Sequence, residues 1–169
     1  MMKSIDTVTG HVHTEEVVVG PKTTLDDVRS WPSLYASGAT NEEEGWYYAT
    51  LREQKLGGLR FDLSMRFQHG MLRVLSLSHV DPSFGSSWDE YSIEKQRDLQ
   101  AWHDRWLREQ GVSGRLRDLG VAGARYDWGS ISSGFDSKSG FASIDVLYGR
   151  KPNERSGFLQ RVAHLLTRK

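Results

Sequence analysis

The chain has 169 residues, 22 basic and 22 acidic side chains, six each of Trp, Tyr and Phe, and no cysteine. Without cysteine, disulfides, thiolate nucleophiles, Cys-ligated zinc and iron–sulfur clusters are excluded. A formal charge of zero lacks the basic excess that phosphate contacts demand of nucleic-acid binders. No run approaches the ~20 apolar residues of a membrane-spanning helix, and the first residues carry no apolar signal core. The expectation is a single domain over residues 1–169, cytoplasmic, with neither nucleic-acid nor membrane partner.

In chain order, valines between Gly10 and Gly20 predict one short strand, or two with a turn near Gly10. Thr24 and Asp27 have capping-box spacing ahead of Leu25, Val28 and Trp31, so a short helix is expected, stopped by Pro32. Residues 37–45 read as a polar loop, and Trp46 to Leu51 as a strand. Leu59, Phe61, Leu63, Met65 and Phe67 alternate with polar residues, the period-two pattern of an antiparallel strand with one buried face. Gln68-His69-Gly70 then turns the chain into a return strand over 71–80. Ser87 and Glu90 predict a second cap, opening a long helix from Trp88 to Gln110 that Gly111 ends. Its apolar stripe is Trp88, Tyr91, Leu99, Trp102 and Trp106.

Residues 111–124 read as irregular. A second hairpin turns at 136–140, and its return strand places Ala142, Ile144, Val146 and Tyr148 on one face. Residues 149–157 read as a polar linker. A terminal helix follows, with Phe158, Leu159, Val162, Leu165 and Leu166 on one stripe. The expected fold is α+β: an antiparallel sheet of about five to seven strands, one long Trp-rich helix packed on one face, a short N-terminal helix and a C-terminal amphipathic helix.

Thr23-Thr24-Leu25-Asp26-Asp27-Val28, then Trp46-Tyr47-Tyr48, the Leu59–Phe67 alternation, Gly70 and Leu72 together form a pattern. It resembles the helix-then-meander unit of the BamE-type lipoproteins and the similar unit of the β-lactamase inhibitor protein. The resemblance covers residues 17–77. It implies a small sheet flanked by helices and a non-enzymatic, protein-binding role.

Chemistry-bearing residues are few. On a strand, His11, His13 and Glu15 share one side, and two imidazoles with a carboxylate can hold zinc with one position open; the competing reading is a solvated strand face. There is neither a G-x-S-x-G elbow nor a Gly-Lys-Ser phosphate loop, so Ser132 and Ser133 read better as hairpin residues than as nucleophiles. Asp127, Asp136 and Asp145 can work as acids, bases or cation ligands if they converge. Asp136 otherwise reads as a turn former, while Asp145 interrupts an apolar strand. Trp102 and Trp106 read as core anchors, with His103 at their border.

No cofactor is expected. The first functional reading is a non-enzymatic protein-binding module, an inhibitor or immunity-type protein that neutralises a bacterial partner protein. Its expected contacts are Glu42, Glu43 and Glu44 in one loop and Asp136 and Lys138 in another. The alternative is a metal-dependent hydrolase or small-molecule binder built on His11, His13 and nearby carboxylates. A homodimer, and a purely structural subunit of a larger assembly, are further expectations for its partners.

Overall fold

The alternation over residues 59–67 predicts the centre of the molecule, and in the computed structural model the rest of the sheet is built outwards from it. The structure describes residues 3–85, 88–116, 121–136 and 139–149. In chain order the elements are β1 (Val12–His13), β2 (Val18–Val19), α1 (Leu25–Arg29), β3 (Leu34–Asn41), β4 (Trp46–Leu56), β5 (Leu59–Gln68), β6 (Met71–His79), α2 (Ile93–Glu109), β7 (Arg115–Leu116), β8 (Val121–Tyr126), β9 (Gly129–Asp136) and β10 (Phe141–Tyr148). β1 and β2 make a small antiparallel pair. The other strands form one antiparallel sheet of eight, ordered β3-β4-β5-β6-β10-β9-β8-β7.

The sheet therefore exceeds the five to seven strands expected, and strand outweighs helix in this chain. Two segments account for the difference. Ser37-Gly38-Ala39-Thr40 has loop composition, yet it pairs with β4 across the register Ser37–Ala49, Gly38–Tyr48 and Ala39–Tyr47. The Tyr48 ring lies over Gly38; a Cβ there would come within 2.9 Å of that ring and push it aside. Further on, the expected irregular stretch 111–124 contains β7 and the start of β8. Backbone pairing with a neighbouring strand outweighs weak local propensity in both places.

The long helix is also shorter than expected. A 3-10 turn occupies 88–90, and α2 begins at Ile93, where the Ser92 hydroxyl accepts from the Lys95 amide. Starting five residues late places His103 and Leu107 among its buried residues, beside Leu99 and Trp106, while Trp102 is half-buried. The expected cap residue Ser87, Lys138, the linker beyond Gly149 and the C-terminal helix lie outside the described residues. The capping box of α1 forms as its spacing predicts: Asp27 N donates to Thr24 Oγ1 at 3.1 Å and Thr24 N to Asp27 Oδ2 at 2.9 Å.

The core lies on one face of the sheet. Leu51, Leu63, Leu77 and Ile144 are register partners in one row across four strands, and all are fully buried. Ala49, Met65, Leu75, Val146 and Ile131 make the next row. The N-terminal segment covers this face with Ile5, Val12 and Val19, α1 with Leu25 and Val28, and α2 with Trp106 and Leu107. Burial of each such side chain stabilises the fold by roughly 1.5–3 kcal/mol.

Long-range hydrogen bonds hold the N-terminal segment in place. Ser4 N donates to Gln110 Oε1 at 2.6 Å, Trp128 Nε1 to the Thr7 carbonyl at 3.0 Å, and Tyr148 OH to the Gly10 carbonyl at 2.9 Å.

Candidate functional site

Side chains alternate across a strand, so each core row has a counterpart on the other face. That counterpart is a line of hydroxyls. Thr50 pairs with Ser64, Ser64 with Ser76, Ser76 with Asp145, and Asp145 with Ser132. One carboxylate thus sits among four hydroxyls across five adjacent strands. The neighbouring row reads Tyr48, Arg66, Val74, Leu147, Ser130, Arg125, apolar at its centre with an arginine towards each end. Val74 and Leu147 are buried, yet both stand outside the cluster that packs α1, α2 and the N-terminal segment.

Asp145 organises this face. Its Oδ1 accepts from Ser76 Oγ at 2.7 Å and from Ser143 Oγ at 3.2 Å. Burial in the sheet pushes its carboxyl above the ordinary carboxylate range, and the two hydroxyls and the Arg66 charge only partly offset this. Burial likewise lowers Arg66, with Asp145 pulling the other way. The strand interruption seen in the sequence is therefore a carboxyl held by hydroxyls from β6 and β10. The shorter of its two hydrogen bonds comes from a residue 69 positions away in the chain.

The expected binding residues fall at opposite ends of the sheet. Glu42, Glu43 and Glu44 are exposed in the β3–β4 turn, where Glu44 N donates to Asn41 Oδ1 at 3.3 Å. Asp136 ends β9; its Oδ2 accepts from Ser139 N at 3.3 Å and its carbonyl from Gly140 N at 2.7 Å, so it shapes its turn. The β3–β4 turn lies at the Gln68–Met71 end of the strands and the β9–β10 turn at the other. Nine residues of β6 separate these ends by ~30 Å.

Nor do the three aspartates converge. Asp127 is exposed beside Gly129, which pairs with Tyr148, and Asp136 pairs with Phe141 at the far end of the same hairpin.

His11, His13 and Glu15 sit at the N-terminal hairpin. The two rings are 6.4 Å apart between centroids, and His11 Nδ1 is 2.8 Å from Thr9 Oγ1. Glu15 pairs with Lys55 at 3.7 Å. Among the described residues, no three His, Asp or Glu side chains gather as a metal-binding set. Ser133 turns its hydroxyl into the core, while Ser132 faces the hydroxyl line.

A second histidine pair, His79 and His103, is a clamp between helix and sheet. His103 is fully buried, and its Nε2 accepts the His79 backbone N–H at 3.2 Å. Burial, then the nearby His79, pushes its pKa down to about 3, so the ring is neutral with its proton on Nδ1. The His79 ring stacks on Trp102 at 3.9 Å between centroids, and its Nδ1–H donates to the Arg60 carbonyl at 2.9 Å. Phe61 packs against Trp106 at 4.9 Å and Trp102 at 6.0 Å, so these rings fill the space between α2 and the sheet.

The architecture is a broad antiparallel sheet with its described helices on one face. No protein-family model matches this sequence, and no curated protein matches it. Its fold is similar to a chain of the solved structure described as Rhs1-CT in complex with cognate immunity protein RhsI1. The TM-score is 0.53 at 11% identity, over 96% of this chain and 95% of that one. None of these comparisons supports the BamE-type resemblance over residues 17–77. The meander β3–β6 is one half of a larger sheet. No helix among the described residues is long and apolar enough to cross a membrane.

Proposed function

We propose that this protein is an immunity-type binding protein that neutralises a partner protein through the hydroxyl-lined face of its sheet. The observation that carries this reading is the transverse row Thr50, Ser64, Ser76, Asp145, Ser132. Short side chains keep this row low between larger neighbours, and hydroxyls give it donors and acceptors in both senses. Strands of ~30 Å, with six of them at ~4.8 Å spacing, make an area of about 700 Å², close to one side of a standard protein–protein interface. The fold it shares with a chain of an immunity-protein complex supports the reading at the level of architecture.

Glu42, Glu43 and Glu44 mark one end of this face and Asp136 the other; they act as polar rim contacts. The test is co-purification with the product of the adjacent gene, followed by calorimetric titration. Ser64→Arg and Ser132→Arg place bulk and charge in the row and are expected to weaken partner binding about 100-fold or more, with the far-ultraviolet dichroism unchanged. Unaltered affinity in both variants would remove this face as the binding surface.

A further inference from the structure

Among the described residues, the inner strands of the large sheet have a neighbour on each side, whereas β3 has only β4. Its sequence, Leu34-Tyr35-Ala36-Ser37-Gly38-Ala39-Thr40-Asn41, contains no charged residue and no proline. Edge strands usually carry such residues, because their outward N–H and C=O groups template pairing with another chain. The opposite edge, β7, is two residues long, which is one of the ordinary protections. β3 is eight residues long. Its register shifts fall towards its ends, between Leu34 and Ala36 and between Ala39 and Asn41, leaving Ala36–Ala39 regular.

The two ends of β3 carry opposite charge. Beside its start, the Arg52 guanidinium lies 3.8 Å from the centroid of the exposed Tyr35 ring. Beyond its end come Glu42, Glu43 and Glu44. The ion pairs among the described residues join Arg29 to Asp26, Lys55 to Glu15, Arg60 to Glu53 and His79 to Asp81; Arg52 and the three glutamates belong to none. Antiparallel pairing of this strand with itself turns one copy end for end. Each Arg52 then faces the acidic turn of the other copy, and the match occurs twice about the two-fold axis. A foreign strand has no such complement built into this chain.

We propose that this chain forms a two-fold dimer by antiparallel pairing of β3 with β3 of a second copy, joining the two sheets into one. The pairing uses the edge of the sheet and not its hydroxyl-lined face, so it stands or falls apart from the function proposed above.

Sedimentation equilibrium of the full chain over a range of concentrations tests it. The expected result is a reversible dimer. Its dissociation constant should rise about tenfold or more in Arg52→Glu, because the two-fold axis repeats the reversed charge at two symmetric contacts. Adding Glu43→Arg to that variant is expected to recover part of the affinity. Ser37→Lys, an exposed change in the regular stretch, is expected to abolish the dimer while leaving the dichroism spectrum intact. A monomer at every concentration, or a dimer indifferent to either Arg52→Glu or Ser37→Lys, would overturn the proposal.

Discussion

The two faces of the sheet are made from the same strands and have opposite chemistry. Leu63 and Ser64 are consecutive, yet Leu63 joins a row of Leu51, Leu77 and Ile144, while Ser64 joins Thr50, Ser76 and Asp145. On the first face, position is set by volume, because close-packed neighbours cannot fill a gap. On the second, in the row around Asp145, it is set by hydrogen bonding. The comparison teaches that stability and recognition are written on alternate residues of one segment, and that a single-residue slip in register would exchange them.

The sharpest way to break the comparison is to truncate one residue on each side to alanine. Leu63→Ala is expected to destabilise the protein by about 2–5 kcal/mol, and Ser64→Ala by no more than about 0.5 kcal/mol, measured by urea unfolding. Comparable losses from both would end the division between packing and recognition.

Acid probes the packed face next. The pKa of His103 is about 3 in the folded chain, below its unfolded value, so the unfolded state takes up the proton first as pH falls. The associated stability is fully present above about pH 6.5 and is lost as pH falls towards 3. Between pH 7 and pH 4 the loss is expected to be about 3 kcal/mol, and a His103→Gln variant should show a flatter profile in denaturant titrations.

The smaller effect sharpens the polar face. The Asp145 carboxyl is raised in the folded state, so its ionisation costs stability as pH rises through the folded value. Asp145→Asn, which keeps an acceptor for Ser76, is expected to stabilise the protein by about 1 kcal/mol at pH 7. That gain should vanish near pH 3, and a loss of stability at pH 7 would show that the hydroxyls outweigh burial.

Much of the first face was legible from sequence. The Leu59–Phe67 alternation, the Thr24–Asp27 cap and the alternation from Ala142 to Tyr148 are local patterns, and local patterns survive without knowledge of neighbours. β3 was not legible, because Ser-Gly-Ala-Thr has the composition of a loop and becomes strand only beside Tyr48. The burial of His103 was also hidden. Starting the helix at Trp88 rather than Ile93 centres its apolar stripe on other residues.

The hydroxyl row was visible one residue at a time, in Ser64 between Leu63 and Met65 and in Ser76 between Leu75 and Leu77. What joins those serines to Asp145 is register between strands up to 69 residues apart, which no short window contains. The acidic loop and Asp136 were identified as exposed polar groups, but their separation to opposite ends of the sheet depends on that same register.

The bonds from Ser4 to Gln110, Thr7 to Trp128 and Gly10 to Tyr148 span 106, 121 and 138 residues. This segment is synthesised before all three partners and must therefore wait for them before it can dock. At ordinary synthesis rates of ~5–20 residues per second, that wait is on the order of ten seconds. For that interval Ile5, Val12 and Val19 lack their final cover, and the nascent chain offers an apolar stretch to chaperones before it can close on itself.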